Sequence, residues 1–466
     1  MTLDSWFTTN RTRCEADLFD LLRIASVSAD RAYLPDVNRA AEWVRSALAS
    51  LKFETELVET DGNPIVFAKS PPVPDAPTVL VYGHYDVQPP DPLDQWISPP
   101  FEPTVRDGNV YARGATDDKG QMLTHLKSAQ AWIETAGALP INLTYVIEGE
   151  EEVGSESLEP FVAANRERLA CDCVVISDSS QFAPGQPAIT YGLRGILYLE
   201  LRLSGFKQDL HSGTFGGGVT NPANALCRML ASLVDGNGKI QVSGFYDDVV
   251  PLSNQERKAF AALGFNEQEF CQQLGVDGLS GEAGFTNLER RWARPTCDIN
   301  GVWGGYQGEG PKTVLPAQAG AKFSFRLVPN QDPKKICASV KQHLEKTCPP
   351  GIRMELIEYH GGAGVLVPLD SPYMAAASRA IARGFGRKPV MIREGGSIPI
   401  VATLREQLGA DTLLLGWGLN DDNTHSPNEK FCLEDYHRGI KASAYLWDEL
   451  AKLKKTTETP SSQRRK

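Results

Sequence analysis

The sequence has no excess of positive charge and no long hydrophobic run. Its 466 residues include 47 Lys and Arg against 58 Asp and Glu, which gives a net charge of −11. This balance repels phosphate backbones and anionic membrane surfaces, so neither a nucleic-acid nor a membrane partner is predicted. No apolar run approaches the roughly 20 residues that a spanning helix needs. The first residues also lack the basic and apolar segments of a signal peptide, so none is predicted.

The cysteines form neither a disulfide framework nor a zinc motif. There are nine of them, an odd number, scattered along the chain without a C-x-x-C pair. This pattern is typical of reduced thiols in a cytosolic protein. The sequence therefore predicts a cytoplasmic location.

The composition is that of a folded globular protein, with 41% hydrophobic and 23% charged residues. Apolar strand patterns at 78–83, 141–147 and 173–177 alternate with helical patterns, which predicts an α/β fold with a mixed, largely parallel sheet flanked by helices. Near residue 190 the strands become half-exposed, as at 198–205 and 321–329, which indicates a smaller sheet with helices on one face.

The alternation of apolar strand patterns with helical patterns returns near residue 371. One domain is therefore predicted to be built from both ends of the chain, with a second domain inserted between them. We predict a first segment of the α/β domain over 1–189, an inserted α+β domain over 190–370, and a second segment of the α/β domain over 371–466. The polar tail from 456 to 466 is predicted to be disordered.

Acids and histidines follow the predicted strands at the point where each strand ends. His84 follows the first strand, Glu148–Glu152 the second and Asp178 the third, while Asp117 precedes a helix and His425 follows a strand at 412–418. Because the carboxyl ends of parallel strands meet at one edge of a sheet, these side chains should converge there.

Such a set is suited to two divalent cations that share a carboxylate. Carboxylates and imidazoles bind Zn²⁺, and also Mn²⁺ and Co²⁺. Asp86 lies two residues after His84 and could accept the second imidazole N–H. Glu151 and Glu152 could divide two roles, one as ligand and the other as general base. The five candidate ligands are His84, Asp117, Glu152, Asp178 and His425.

Eight segments, in order along nearly the whole chain, resemble the signature blocks of the aminoacylase, carnosinase and glutamate-carboxypeptidase family of dinuclear metallopeptidases. The likeness is greatest to the cytosolic carnosinase-type dipeptidase branch. The segments are GHYDVQPP (83–90), RGATDDKGQ (113–121), EGEEEVGSE (148–156), ISDSS (176–180), DLHSGTFGG (209–217), FSFRLVPN (323–330), REGGSIP (393–399) and NTHSPNE (423–429).

The resemblance implies a role for each candidate ligand. His84 and Asp178 would bind one metal, Glu152 and His425 the other, and Asp117 would bridge them, with zinc favoured and manganese or cobalt as alternatives. Asp86 would orient His84, Glu151 would be the general base, and the Asp117–Asp118 peptide bond would be cis. The glutamate run leaves a second register open, in which the pair is Glu150–Glu151.

The resemblance also implies a homodimer in which the inserted domain acts as lid and dimerisation domain. His211 would reach into the partner subunit's active site and polarise the substrate carbonyl. The residues implied to hold the substrate's terminal carboxylate are Thr313, Arg326, Gly395, Gly396 and Ser397.

The predicted function is hydrolysis of the peptide bond of dipeptides by a metal-bridging hydroxide, with Glu151 as general base. An alternative is an N-acyl-amino-acid deacylase acting on acetyl- or succinyl-amino acids with the same metals. A second alternative is a non-catalytic metal-dependent binding protein. A general base at Glu151 beside a metal ligand at Glu152 argues against the binding protein, because metal-dependent binding alone needs no base.

Overall fold

The computed structural model describes residues 1–396 and 398–453. Ser397 and the tail at 456–466 therefore lie outside the described residues. The contacts divide the chain into two compact units. The first contains Met1–Tyr191, Val367–Ile392 and the chain from Thr403 onward, and the second contains Gly192–Leu366 and Arg393–Ala402.

Most of a nine-stranded mixed sheet belongs to the first unit. Its middle strands are parallel neighbours, whereas antiparallel strands complete both sides. The predicted fold class, a mixed and largely parallel sheet flanked by helices, is confirmed. The order across the sheet is Glu54–Val58, Ile65–Lys69, Asn142–Glu148, Thr78–His84, Cys173–Ile176, Asp411–Gly416, Ala188–Leu193 and Val365–Leu366, and Val390–Glu394 also pairs with Ala188–Leu193.

The central strands are buried along nearly their whole length, as expected for parallel strands covered on both faces. The helix Lys119–Ala136 is buried along most of its first 13 residues and ends at Gly137, whose φ of 80° suits a glycine. None of the described helices combines the length and the apolar composition needed to cross a bilayer. The other helices of this unit are Leu3–Thr9, Arg11–Leu22, Leu34–Ser50, Leu158–Ala164, Pro372–Phe385 and Leu433–Ala451, with short 3₁₀ turns at Arg31–Tyr33, Leu93–Gln95 and Glu151–Val153.

A small antiparallel sheet joins distant parts of the first unit. It consists of Thr104–Arg106, Asn109–Tyr111 and Lys430–Cys432, and Lys430 pairs with Tyr111. The loop that follows Tyr111 and the loop that precedes Lys430 are therefore neighbours. These loops contain Asp117 and His425.

The second unit is built on a four-stranded antiparallel sheet in the order Thr296–Gly304, Gln318–Leu327, Gly195–Ser204 and Arg353–Gly362. Alternate residues of the two middle strands point into one core, where the helices Pro222–Ala231 and Pro333–Thr347 pack against them. This is the predicted small sheet with helices on one face. The remaining elements are the helices Ser212–Phe215, Asn254–Ala262, Glu267–Leu274 and Asn287–Ala293 and the paired strands Leu210–His211 and Val314–Leu315; the helix Pro399–Leu408 runs across the division between the units.

Candidate metal centre

The ends of the parallel strands form one edge of the main sheet. Thr78–His84 lies parallel to Asn142–Glu148 on one side and to Cys173–Ile176 on the other, and His84 is opposite Glu148. Cys173–Ile176 is in turn parallel to Asp411–Gly416. The residues that follow these strands therefore emerge together, as the sequence pattern predicts.

A first group of potential ligands consists of His84, Asp117 and Asp178, whose ligand atoms lie within 4.8 Å of one another. Nε2 of the fully buried His84 lies 3.2 Å from Oδ1 of Asp117. On the other side of the ring, Nδ1 lies 3.1 Å from the carbonyl oxygen of Asp86 and 3.3 Å from its Oδ1. Asp86 is thus placed to accept the Nδ1–H and leave the Nε2 lone pair facing Asp117.

A second group consists of Asp117, Glu152 and His425, again with ligand atoms within 4.8 Å. Nε2 of His425 lies 2.9 Å from Oδ2 of Asp117 and 3.3 Å from Oε2 of Glu152. Asp117 belongs to both groups and offers a different oxygen to each histidine. A carboxylate shared in this way can bridge two cations.

The backbone at both histidine–aspartate contacts is unusual. The Asp117–Asp118 peptide bond is cis, as the resemblance implies. Oδ2 of Asp118 accepts a hydrogen bond from the backbone N–H of His84 at 3.2 Å. His425 has a φ of 61°, in a region that side-chain-bearing residues rarely adopt.

The electrostatics of the two groups favour added positive charge. Burial and the neighbouring carboxylate of Asp117 raise the pKa of Glu152 to about 9, and the same two causes raise the pKa of Asp178 to about 6. Burial would also raise the pKa of Asp117, but the neighbouring imidazoles of His425 and His84 hold it below its usual range. Carboxylates crowded in this way destabilise one another unless a cation or a proton lies between them.

The donor set fits divalent metal ions. Nε2 of His84 is buried without a hydrogen-bond partner among the described residues, although it faces the Asp117 carboxylate. In the tautomer that Asp86 favours, the Nε2 lone pair is directed at this carboxylate, an arrangement that a cation between the two would stabilise. Imidazole nitrogens and carboxylate oxygens together suit Zn²⁺, Mn²⁺ or Co²⁺.

Glu151 and Glu150 differ from Glu152 in their surroundings. Glu151 begins the 3₁₀ turn Glu151–Val153 and belongs to neither ligand group found among the described residues. Burial, together with the carboxylates of Asp178 and Glu152, raises the pKa of Glu151. The carboxylate of Glu150 instead accepts hydrogen bonds from the backbone N–H groups of two other residues, Asn63 at 3.0 Å and Ser157 at 3.2 Å.

The predicted residues of the inserted domain lie in the second unit. His211 is exposed at the end of a two-residue strand, and the N–H of the following Ser212 donates to the carbonyl of Thr313 at 3.1 Å. His211 and Thr313 are therefore close neighbours. Arg326 is half-buried near the end of the strand Gln318–Leu327.

Gly395 and Gly396 also belong to the second unit, whereas Ser397 is not among the described residues. The carbonyl of Gly395 accepts a hydrogen bond from Nε of Arg194 at 3.1 Å. A Cβ at Gly395 would lie 3.0 Å from a guanidinium nitrogen of Arg194, so the close approach favours glycine. Burial and the neighbouring guanidinium of Arg326 lower the pKa of Arg194 to about 10.

The sequence analysis missed three residues that contact or support the predicted site. Gln88 donates to Oε2 of Glu152 at 2.8 Å, and Arg194 supports Gly395. Glu429 accepts a hydrogen bond from the N–H of Asp117 at 3.1 Å. Gln88 and Glu429 stand inside segments that carry the family resemblance, each four residues after a predicted histidine ligand, and that position is the signal that could have identified them.

Comparison with known proteins gives extensive matches. The family model described as peptidase family M20/M25/M40 matches residues 80–449. The Cys-Gly metallodipeptidase dug1 of Schizosaccharomyces pombe is 35% identical over 444 residues, with 92% of this chain and 93% of the relative covered. The Beta-Ala-His dipeptidase of Homo sapiens is 36% identical over 395 residues, with 84% of this chain and 78% of the relative covered.

A solved structure matches equally well. Human carnosine dipeptidase 1 superposes with a TM-score of 0.85 and 33% sequence identity, covering 97% of this chain and 98% of that chain. The family resemblance predicted from eight sequence segments, including its carnosinase-type branch, is confirmed.

Proposed function

The chain belongs to peptidase family M20/M25/M40, and on that premise we propose that it is a metal-dependent hydrolase that cleaves the peptide bond of dipeptides. The main support is the pair of ligand groups that share Asp117 at the carboxyl edge of the sheet. Relatives that cover most of the chain are named as metallodipeptidase and dipeptidase. The site chemistry and these names point to the same reaction.

Two divalent cations would be held by the two ligand groups. His84 and Asp178 would bind one, Glu152 and His425 the other, and Asp117 would bridge them. When bound, such a pair lowers the pKa of a water molecule toward about 7 and polarises a carbonyl oxygen. Zinc suits these nitrogen and oxygen ligands best, with manganese or cobalt as alternatives.

Glu151 would take the proton from the attacking water and then give it to the leaving amine. An amine leaves readily only when it is protonated, so the same carboxylate serves in both steps. Burial and the carboxylates of Asp178 and Glu152 raise the pKa of Glu151, so it holds a proton more readily than an exposed glutamate does. Glu150 is held by the N–H groups of Asn63 and Ser157, which supports the Glu151–Glu152 register of base and ligand.

Asp86 would keep His84 in the tautomer that presents its Nε2 lone pair to a metal. Both the carbonyl and the carboxylate of Asp86 lie close to Nδ1 of His84. The carboxylate also accepts the N–H of Glu152 at 3.2 Å. One residue would thus fix the orientation of one ligand and the backbone of another.

The second unit would supply the groups that bind the rest of the substrate. His211 would polarise the substrate carbonyl in the partner subunit of a homodimer, for which its exposure on the described chain is suitable. The planar guanidinium of Arg326 would pair with the free carboxylate of the dipeptide. Thr313, Gly395, Gly396 and Ser397 would complete that carboxylate site.

The proposed cellular location rests on the thiols. All nine cysteines lie among the described residues and all are free. Reduced cysteines are typical of the cytosol, so we propose a cytoplasmic enzyme.

A substrate panel on metal-reconstituted protein tests the proposal. We expect dipeptides with a free carboxylate to be hydrolysed after reconstitution and not after chelation, and N-acyl-amino acids to be poor substrates. Preference for acetyl- or succinyl-amino acids would make the chain a deacylase. Metal binding with no turnover of either class would make it a binding protein.

A neighbouring pair of variants tests the base. Glu151→Gln should reduce kcat by on the order of 10²–10⁴-fold, because the proton acceptor is lost. Glu150→Gln is the matched control and should retain turnover, because that carboxylate is bonded to Asn63 and Ser157. The opposite result would place the base at Glu150 and move the register by one residue.

A further inference from the structure

Glu429 is a buried carboxylate that accepts four hydrogen bonds from one loop. Its Oε2 accepts from Nη1 of Arg113 at 2.9 Å and from the N–H of Gly114 at 3.0 Å. Its Oε1 accepts from the N–H groups of Thr116 at 2.9 Å and Asp117 at 3.1 Å. The side chain is fully buried, so water does not compete for these donors.

The four donors belong to the loop that presents the shared ligand Asp117. Three of them are backbone N–H groups, and one of these three is the N–H of Asp117 itself. A salt bridge serving stability alone would need only Arg113. The carboxylate instead binds the backbone of the loop on both sides of Thr116, which restricts the position of the Asp117 Cα.

The backbone of Glu429 is attached to the other ligand loop. It lies four residues after His425 and directly before the strand Lys430–Cys432. Its carbonyl accepts the N–H of Ala112 at 3.1 Å, which continues the pairing of that strand. The main chain and the side chain of Glu429 therefore connect the loop that contains His425 to the loop that contains Asp117.

This connection lies beside a close contact between two predicted metal ligands. Nε2 of His425 and Oδ2 of Asp117 are 2.9 Å apart, although the two residues are 308 positions apart in sequence. His425 is more than half exposed and belongs to a loop with several positive φ values, so its own packing restrains it little. A separate restraint between the two loops is needed to keep the ligands together.

We propose that Glu429 is a positioning residue that holds the shared ligand Asp117 at the distance from His425 required for metal binding. The inference rests on the proposed function, because it assigns those two residues to a metal. Glu429 itself belongs to neither ligand group found among the described residues. Its effect is transmitted through the backbone N–H groups that its carboxylate binds.

The test compares Glu429→Gln with Glu449→Gln in the full-length protein. The amide that Glu429→Gln introduces would direct its NH₂ group at N–H donors, so the loop should lose its defined position. Glu449 is the matched control, because it is also buried and paired with an arginine, Arg379. Its hydrogen bonds instead run to Arg379 on the helix Pro372–Phe385 and to Lys452, directly after its own helix. The measurements are zinc affinity, by competition with a chromophoric chelator, and unfolding of the metal-free proteins in urea.

We expect Glu429→Gln to weaken zinc binding by roughly 10–100-fold, the usual effect of losing a group that supports a ligand. Glu449→Gln should bind zinc as the wild type does, even if it is equally destabilised. If Glu429→Gln does not fold, Glu429→Asp replaces it; this variant keeps the charge but is one methylene too short, and should weaken zinc binding to a smaller extent. Wild-type affinity in a folded Glu429 variant, or an equal loss in Glu449→Gln, would overturn the inference.

The same titrations separate this inference from the proposed function. If the wild-type protein itself fails to bind zinc, the proposed function is wrong. If the wild type binds two ions and the Glu429 variants bind them equally tightly, only the positioning role is wrong.

Discussion

The buried imidazole of His125 should make the first unit sensitive to mild acid. His125 is fully buried in the helix Lys119–Ala136, and its Nε2 lies 2.8 Å from Oγ of Ser177, the residue before Asp178. Its Nδ1 is buried with no hydrogen-bond partner among the described residues, and the Trp447 ring lies beside it. Protonation would leave an unpaired cation in this setting, so burial lowers the pKa to about 3.

The size of the stability loss follows from the difference between the pKa of His125 in the folded state and in the unfolded state. The unfolded imidazole has its ordinary pKa of 6.5, above the folded value. The unfolded chain therefore binds a proton first, and stability is lost as the pH falls from 6.5 toward 3. At pH 5 the loss relative to pH 7 is about 2 kcal/mol, because each unit below the unfolded pKa costs about 1.4 kcal/mol.

The assay is urea unfolding of the metal-free protein at pH 7 and pH 5 with chelator present, so that metal release does not contribute. The glutamine of His125→Gln keeps a polar group near Ser177 but cannot be protonated. Between pH 7 and pH 5 the free energy of unfolding of this variant should therefore fall by about 2 kcal/mol less than that of the wild type. The partly buried His343 is the comparison: burial also lowers its pKa, but its side chain is less enclosed, so His343→Gln should recover less of the loss than His125→Gln. Equal pH dependence in the wild type and His125→Gln would refute the reasoning.

Two further predictions concern the second unit. Arg326→Lys should raise KM for dipeptides by roughly 10-fold or more with a smaller change in kcat, because a lysine cannot pair with a carboxylate through two parallel hydrogen bonds. Steady-state kinetics would measure both constants. An unchanged KM would show that Arg326 is not part of the carboxylate site. Inactive Glu151→Gln and His211→Ala chains should regain up to about a quarter of wild-type activity when mixed, because half the dimers are mixed and each has one intact site. No recovery after verified subunit exchange would contradict a histidine acting in the partner's site.

Much of the metal centre was predictable because its ligands follow strands that can be recognised by composition. The near-continuous apolar run before His84 indicates a parallel strand, and the carboxyl ends of such strands share an edge. The same reasoning placed Asp178 after the strand Cys173–Ile176. A local pattern and one topological rule were sufficient for these residues.

The contacts of the supporting residues could not be predicted, because they join loops that are distant in sequence. Glu429 is 312 positions from Asp117, and nothing in its local pattern indicates which amides its carboxylate binds. Arg194 is 201 positions from the Gly395 carbonyl that it supports. Local periodicity also gives no reason to place residues 393–402 in the second unit, since only tertiary contacts assign them there.

The most direct test of the account counts the metal ions bound by the purified chain. Chelator-treated protein would be reconstituted with zinc, separated from free metal and analysed by elemental mass spectrometry, alongside Glu151→Gln and Glu152→Gln. The account predicts two ions per chain in the wild type and in Glu151→Gln, and fewer in Glu152→Gln. A wild-type chain that binds no more than one ion, or a Glu152→Gln chain that still binds two, would contradict it.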